Sequence, residues 1–232
     1  MLSPLEFNHY WVDSGAYFIE LDVGTPPQTL EVLVDTGSSD LFFPASNATP
    51  CVKGNCPGGR FNPSDSSSFE KEPKAPSFYS AYADGSQESG FFANDHIAVG
   101  ATTLENVTFG VASSVQVSPG IKNGPQNGIM GVSYIDGQNA PYGRNLSFEY
   151  PTIPKALYDS GDAASYSYSL YLNSNEDDNG SMLFGGVDTA KFVGELKTLA
   201  VVDPSSTNLQ IDLVSLMTAY KSENRYVREW MC

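Results

Sequence analysis

Two short runs of alternating apolar and polar residues, 18–23 and 29–34, stand on either side of Thr25-Pro26-Pro27, and this arrangement constrains the fold more than any other feature. A period of two places the apolar side chains on one face of a strand. Two adjacent prolines cannot donate to a ladder, so the chain must turn between the runs. The same grammar recurs downstream. Segments 78–82 and 90–99 flank Asp84-Gly85, a dipeptide suited to a hairpin turn, and 104–111 alternates again. Segments 166–172, 181–184, 194–202 and 209–216 read as further strands, and 57–77, rich in Gly, Pro and Ser, reads as loop. The pattern predicts one helix over 152–158, with Thr152 as N-cap, Pro154 in its first turn and Gly161 as its stop. With 21 Gly, 15 Pro, 13 Tyr and 13 Phe, the composition is that of a turn-rich all-β protein and argues against a helical bundle.

The 232 residues suffice for one large domain and fall short of two lobes of ~160 residues each. Acidic residues number 27 against 12 basic ones, and the resulting net charge of −15 argues against nucleic acid or anionic membranes as partners. No stretch approaches the ~20 apolar residues of a membrane span. The opening Met1-Leu2-Ser3-Pro4-Leu5-Glu6 lacks the character of a secretory leader. Four Asn-x-Ser/Thr acceptors, at Asn47, Asn106, Asn145 and Asn179, nevertheless favour a secreted glycoprotein whose signal and pro-segment are absent from this chain. Cys51 and Cys56 bound a short loop containing Gly54 and Asn55, flexible enough for a disulfide. A zinc site would need four ligands, and only Cys232, His9 and His96 remain to supply them. The disulfide is therefore expected, leaving Cys232 unmatched; no metal and no cofactor are expected.

The stretch with chemical content is Asp35-Thr36-Gly37-Ser38-Ser39-Asp40-Leu41. An Asp at the end of an apolar strand, followed by Thr and Gly, can hold its carboxylate outward for general-base work on a water. The bland reading is an Asx turn in which Asp bonds only its own backbone. Two other tripeptides share the pattern, Asp13-Ser14-Gly15 and Asp159-Ser160-Gly161. Neither follows an apolar strand, so both read as decoys.

The context of Asp35 decides between these readings. Val23-Gly24-Thr25-Pro26-Pro27-Gln28, the Asp35 stretch, the Cys51/Cys56 loop, Tyr82-Ala83-Asp84-Gly85-Ser86, Gly128-Ile129-Met130-Gly131 and Leu183-Phe184-Gly185-Gly186-Val187-Asp188 follow one another in that order. As a set they resemble the pepsin-like aspartic proteases, particularly the fungal secreted and cell-surface members, over residues 15–216. The resemblance implies a pepsin-like acid protease fold, with an N-terminal catalytic lobe at 1–192, the start of a C-terminal lobe at 193–217 and an unrecognised tail at 218–232. It implies that Asp35 is a catalytic Asp braced by Thr36, Gly37 and Ser38. Tyr82, Asp84, Gly85 and Ser86 would form the flap that closes over a peptide or protein substrate, and Ile129-Met130-Gly131 would pack behind the catalytic loop.

Catalysis in that family takes two carboxylates sharing one proton, a worked case in general accounts of catalytic carboxyl pairs. By the family's spacing the second Asp falls beyond residue 232, so the expectation for this chain is a truncated enzyme, inactive alone. Two departures concern the flap. Phe42 stands where the family usually has a Trp whose indole donates to the flap tyrosine, and Ala83 follows Tyr82 where Gly is usual. Competing expectations are a non-catalytic peptide-binding glycoprotein and a homodimer using two copies of Asp35, with the oligomeric state left open. The implied location is extracellular or at the cell surface, with the vacuole as alternative. The basic cluster Lys221, Arg225 and Arg228 marks a shift of composition in the tail, which admits a short helix.

Overall fold

The two alternating runs are strands β2 (Phe18–Val23) and β3 (Gln28–Asp35), paired antiparallel from Phe18↔Leu33 to Val23↔Gln28. The computed structural model describes residues 5–8, 16–116, 127–134, 148–172, 179–202, 209–212, 216–222 and 225–231. Asp13, His9, Asn145 and Cys232 lie outside these residues. Between β2 and β3 the Thr25-Pro26 peptide is cis, and the turn is tied to residues 66–68 by the Ser67 N–H on the Thr25 carbonyl at 2.8 Å.

The remaining strands of the main sheet are β1 (Leu5–Asn8), β4 (Leu41–Pro44), β5 (Glu70–Lys71), β6 (Ser77–Ala81), β7 (Gln87–Val99), β8 (Thr102–Gln116), β9 (Gly128–Gly131), β10 (Tyr168–Tyr171) and β11 (Asn179–Phe184). Their order is β10-β11-β1-β2-β3-β9-β4-β8-β7-β5, with β6 hydrogen-bonded to β7. Strand β2 also pairs with β7, at Asp22↔Ala98 and Val23↔Ile97, so six strands form a closed ring. Closure removes free edges from that part of the sheet. Among the described residues two α-helices complete the framework, α1 (Thr49–Val52) and α2 (Ile153–Asp159). Thr152 occupies the N-cap of α2 as expected, although its side chain makes no capping bond.

Alternation along β4 divides the interior in two. Phe43 points into the main core, where its ring meets Phe109 edge-on at 5.2 Å, and Phe61 meets Phe109 at 5.4 Å. Its neighbour Phe42 points the other way, into a second cluster with Phe78, Phe92, Ala112 and Tyr150. Each fully buried Phe contributes roughly 1.5–3 kcal/mol of transfer free energy, so both clusters weigh substantially in stability. The first cluster holds the ring of strands together. The second supports the β6–β7 hairpin.

Three sequence expectations differ from the structure. Segment 194–202 carries no strand: Val193, Leu196 and Leu199 are largely exposed, and among the described residues a single backbone bond, Val202 N–H to the Gln210 carbonyl at 2.9 Å, stands where a ladder would run. The described part of 209–216 likewise has no strand before β12 (Leu216–Ser222). The tail is no helix: β12 pairs with β13 (Arg225–Met231) from Leu216↔Met231 to Ser222↔Arg225. The physical reason is local, since Thr218, Tyr220, Tyr226, Val227 and Trp230 are strand-forming residue types within the two paired segments.

Candidate active site

Strand β3 ends at Asp35, where parallel pairing with β9 places it opposite Gly131. The next residues leave the sheet and are held by the chain following β9. The N–H groups of Gly131, Val132 and Ser133 donate to the carbonyls of Asp40, Asp35 and Ser38 at 2.9, 2.9 and 3.0 Å. The Ser39 hydroxyl returns a bond to the Tyr134 carbonyl. The loop carrying Asp35 is thus fixed by main-chain bonds from a segment almost a hundred positions away.

That docking requires glycine at 131. A Cβ there would lie 2.5 Å from the Ser39 nitrogen and 2.6 Å from the Ser38 carbonyl carbon, both rigid backbone. This accounts physically for the Gly128-Ile129-Met130-Gly131 signature read from the sequence. The apolar pair is divided between the clusters, Met130 in the main core and Ile129 against the aromatic one.

Asp35 itself is half-buried, and its Oδ1 accepts the Gly37 N–H at 2.9 Å. The bracing comes from the backbone rather than from hydroxyls. Thr36 is exposed, and the Ser38 hydroxyl is buried without a hydrogen-bond partner. Asp40, at the end of the same loop, is buried, and its Oδ1 accepts the hydroxyl of Tyr150. Burial first, then the charge of Asp40, pushes the Tyr150 phenol well above its ordinary value, so it remains a donor throughout the working pH range. Sequence reading did not identify Tyr150, which lies 110 positions from its partner and has no local signal.

Above the loop stands the β6–β7 hairpin. Its turn closes with the Tyr82 N–H on the Ser86 carbonyl and the Gly85 N–H on the Tyr82 carbonyl, both at 3.0 Å, with Gly85 at φ +87°. Asp84 Oδ1 accepts the Ser86 N–H at 2.9 Å and the Ser86 hydroxyl at 2.7 Å, an Asx turn that fixes the tip. Tyr82 packs against the Phe42, Phe78, Phe92 and Tyr150 cluster, and its hydroxyl is buried with no hydrogen-bond partner. Its phenol is raised far above the ordinary value chiefly by burial, which the Ser80 hydroxyl partly offsets and the charges of Glu88, Asp40 and Asp35 reinforce. The structure therefore brings Tyr82 and Asp35 into one electrostatic neighbourhood. Phe42 is only 1% exposed and lies 5.6 Å from Phe78, ring to ring, so the place of the missing indole is filled by packed aromatic carbon.

The other candidates lie apart from this site. Cys51 and Cys56 form a disulfide with Cα atoms 4.9 Å apart, beside α1. Asn47 and Asn106 are exposed, Asn106 in the bulge of β8 at φ +55°, and Asn179 lies on β11. His96 is on β7. Asp159 ends α2 and pairs with Lys155. Among the described residues there is no cluster of metal-ligating side chains, and no helix is long and apolar enough to cross a membrane.

Comparison with known proteins places these features in context. The family profile described as eukaryotic aspartyl protease matches residues 16–227. A probable aspartic-type endopeptidase, opsB, of Aspergillus fumigatus is 36% identical over 215 residues, covering 90% of this chain and 42% of the relative. Aspartic proteinase yapsin-3 of Saccharomyces cerevisiae is 36% identical over 193 residues, 82% of this chain and 37% of the relative. Candidapepsin-2 of Candida parapsilosis is 35% identical over 216 residues, 92% of this chain and 47% of the relative. The chain thus spans less than half the length of these relatives. The solved structure of an aspartic proteinase from Irpex lacteus superposes with a TM-score of 0.65 at 21% identity, covering 83% of this chain and 50% of that one, a likeness of fold.

Proposed function

Because this chain belongs to the eukaryotic aspartyl protease family, we propose that it supplies one half of an aspartic endopeptidase site, with Asp35 as one of two catalytic carboxylates and Tyr82 as the closing residue. The observation that carries the reading is the position of Asp35. It ends strand β3, half-buried, with one carboxylate oxygen held by a backbone N–H and with Tyr82 of the β6–β7 hairpin near enough to feel its charge.

In such a site Asp35 takes a proton from a water whose oxygen attacks the scissile carbonyl carbon. A second, protonated carboxyl polarises the carbonyl oxygen, and the tetrahedral adduct collapses as a proton passes to the leaving nitrogen. Asp40 cannot act as that second group, since it is buried and engaged by Tyr150. Asp159 lies at the end of a helix, paired with Lys155. The second carboxyl therefore comes from a second lobe or a second copy, and the 232-residue chain alone is inactive. Thr36, Gly37 and Ser38 shape the catalytic loop, while Asp84, Gly85 and Ser86 shape the flap tip. Residues 1–192 are the catalytic lobe, 193–217 begin the next, and 218–232 form a tail outside both.

The substrate is a peptide or protein, and the location is extracellular or at the cell surface. The Cys51–Cys56 disulfide and the exposed acceptors Asn47 and Asn106 support that location.

The test is cleavage of an acid-denatured protein between about pH 3 and 5, near and above the ordinary carboxyl range. The chain alone should show no pepstatin-sensitive cleavage, and joining it to a second lobe bearing an Asp-Thr/Ser-Gly loop should produce cleavage that Asp35→Asn abolishes. A rate rising with the square of chain concentration would assign the site to two copies. Cleavage indifferent to Asp35→Asn would reject the site.

A further inference from the structure

Glu88, one strand removed from Tyr82, is a buried acid that the proposed chemistry does not use. It is 4% exposed, on β7, directly opposite Ser80 of β6, which is wholly buried. Residues two apart on a strand share a face, so Tyr82 lies on the same side of the hairpin as Ser80. Glu88 Oε2, the Ser80 hydroxyl and the Tyr82 hydroxyl are all buried, and no hydrogen bond of good geometry reaches any of them, although Ser80 stands close enough to Tyr82 to favour its phenolate. Three such atoms on one face of one hairpin require a common explanation, because isolated buried polar groups are costly.

The charged surroundings are of one sign. Asp84 stands on the turn, while Asp40 and Asp35 lie on the loop below and act on the neighbouring Tyr82. From β8 the residue opposite Glu88 is Val115, flanked by the uncharged Ser114 and Gln116. Among the described residues the ion pair present is Lys155–Asp159, so no cation pairs with Glu88. Burial, and after it the charge of Asp84, lifts this carboxyl to about 8.

We propose that Glu88 is a positioning residue for Tyr82 that holds the hairpin closed only while its carboxyl is protonated. The neutral acid brings one O–H donor to two hydroxyls that can each donate and accept, so the three atoms can satisfy one another. Loss of that proton to water leaves an anion facing aromatic rings and other acids, and the hairpin relaxes by exposing it. Taken with the proposed function, on which this consequence rests, the flap has its own alkaline limit, separate from the titration of the catalytic pair.

The direction of the linkage follows. The folded value lies above the ordinary 4.5 of a glutamate, so the closed hairpin holds the proton more tightly than the open one. Its advantage is complete below about 4.5, declines as pH rises, and is gone above about 8.

Hydrogen–deuterium exchange of peptides covering 77–99 in the 232-residue chain, corrected for intrinsic amide rates, tests this from pH 5 to 8. The opening equilibrium should rise by up to about tenfold per pH unit, the most that one titrating group allows. In Glu88→Gln it should be flat, and in Asp84→Asn its midpoint should move down. Asp35→Asn should keep the wild-type slope. A wild-type hairpin whose opening ignores pH, or a Glu88→Gln hairpin that keeps the slope, overturns the proposal. Should Glu88→Gln fail to fold, the carboxyl-carbon resonance of Glu88 decides, a midpoint below about 5 being fatal. Loss of the slope beside Asp35-dependent proteolysis by the chain joined to a second carboxyl-bearing lobe would refute Glu88 alone, and a slope with no proteolysis by that joined chain would refute the proposed function alone.

Discussion

Asp35-Thr36-Gly37 and Asp159-Ser160-Gly161 share one pattern and have different fates. The first leaves the end of β3, its Asp carbonyl takes the Val132 N–H, and its glycine N–H binds the Asp side chain. The second leaves the end of α2, where Asp159 pairs with Lys155 one turn back, Ser160 caps the helix through the Leu157 carbonyl at 3.1 Å, and Gly161 turns at φ +82°. The tripeptide is therefore neutral about function. What differs is the element that delivers the Asp and the chain that packs behind it. A helix end lets the carboxylate face solvent and its own Lys, whereas a central strand end confronts it with a second segment of the sheet.

Three pairs of substitutions press on this contrast, the largest first. In a chain completed by a second carboxyl-bearing lobe, Asp35→Asn should lower kcat/KM by about 10³-fold or more, a loss typical of a group acting on the reacting atoms. Asp159→Asn should leave kcat/KM within about twofold, and comparable losses from both would erase the distinction. Next, Gly131→Ala should destabilise the fold by about 3 kcal/mol in urea titration, since its methyl meets immovable backbone. Gly161→Ala meets nothing within 4 Å and should cost about 1 kcal/mol, through its left-handed backbone alone. Smallest are the side-chain contacts. Tyr150→Phe removes the donor to buried Asp40 and should cost about 2 kcal/mol, while Lys155→Ala on the solvent side of α2 should stay within about 0.5 kcal/mol.

How much was legible in the sequence follows from the range of the forces. Strands β2, β3, β6 and β7 announce themselves by alternation and by Pro or Asp-Gly turns, which act within a few residues. Asp35, Tyr82 and the disulfide are nameable because their motifs are contiguous. The β12–β13 hairpin was obscured by its basic residues, whose charge says little about backbone preference. Segment 194–202 has strand-like residues but forms no ladder, its backbone bond to another segment among the described residues being that of Val202 to Gln210, and partnership is a tertiary fact. Glu88 and Tyr150 were invisible for the same reason. An acid in an otherwise polar run, Gln87-Glu88-Ser89, reads as solvated, and only the pairing with Ser80 shows that it turns inward.

The loop bearing Asp35 is completed late. Its hydroxyl contact with Tyr134 spans 95 positions, and the Tyr150 contact with Asp40 spans 110. During synthesis the β2–β3 hairpin can pair soon after residue 35 emerges, but the loop beyond it gains its bonds to residues 131–134, and then to 150, only once these have left the ribosome. Contacts of such separation are slow to form, because a long intervening chain must be ordered first. The nascent protein therefore assembles much of its sheet before the Asp35 carboxylate has a fixed direction. Substitutions at Gly131 or Tyr150 should then prolong the interval in which a folded but unfinished lobe is exposed to aggregation and quality control.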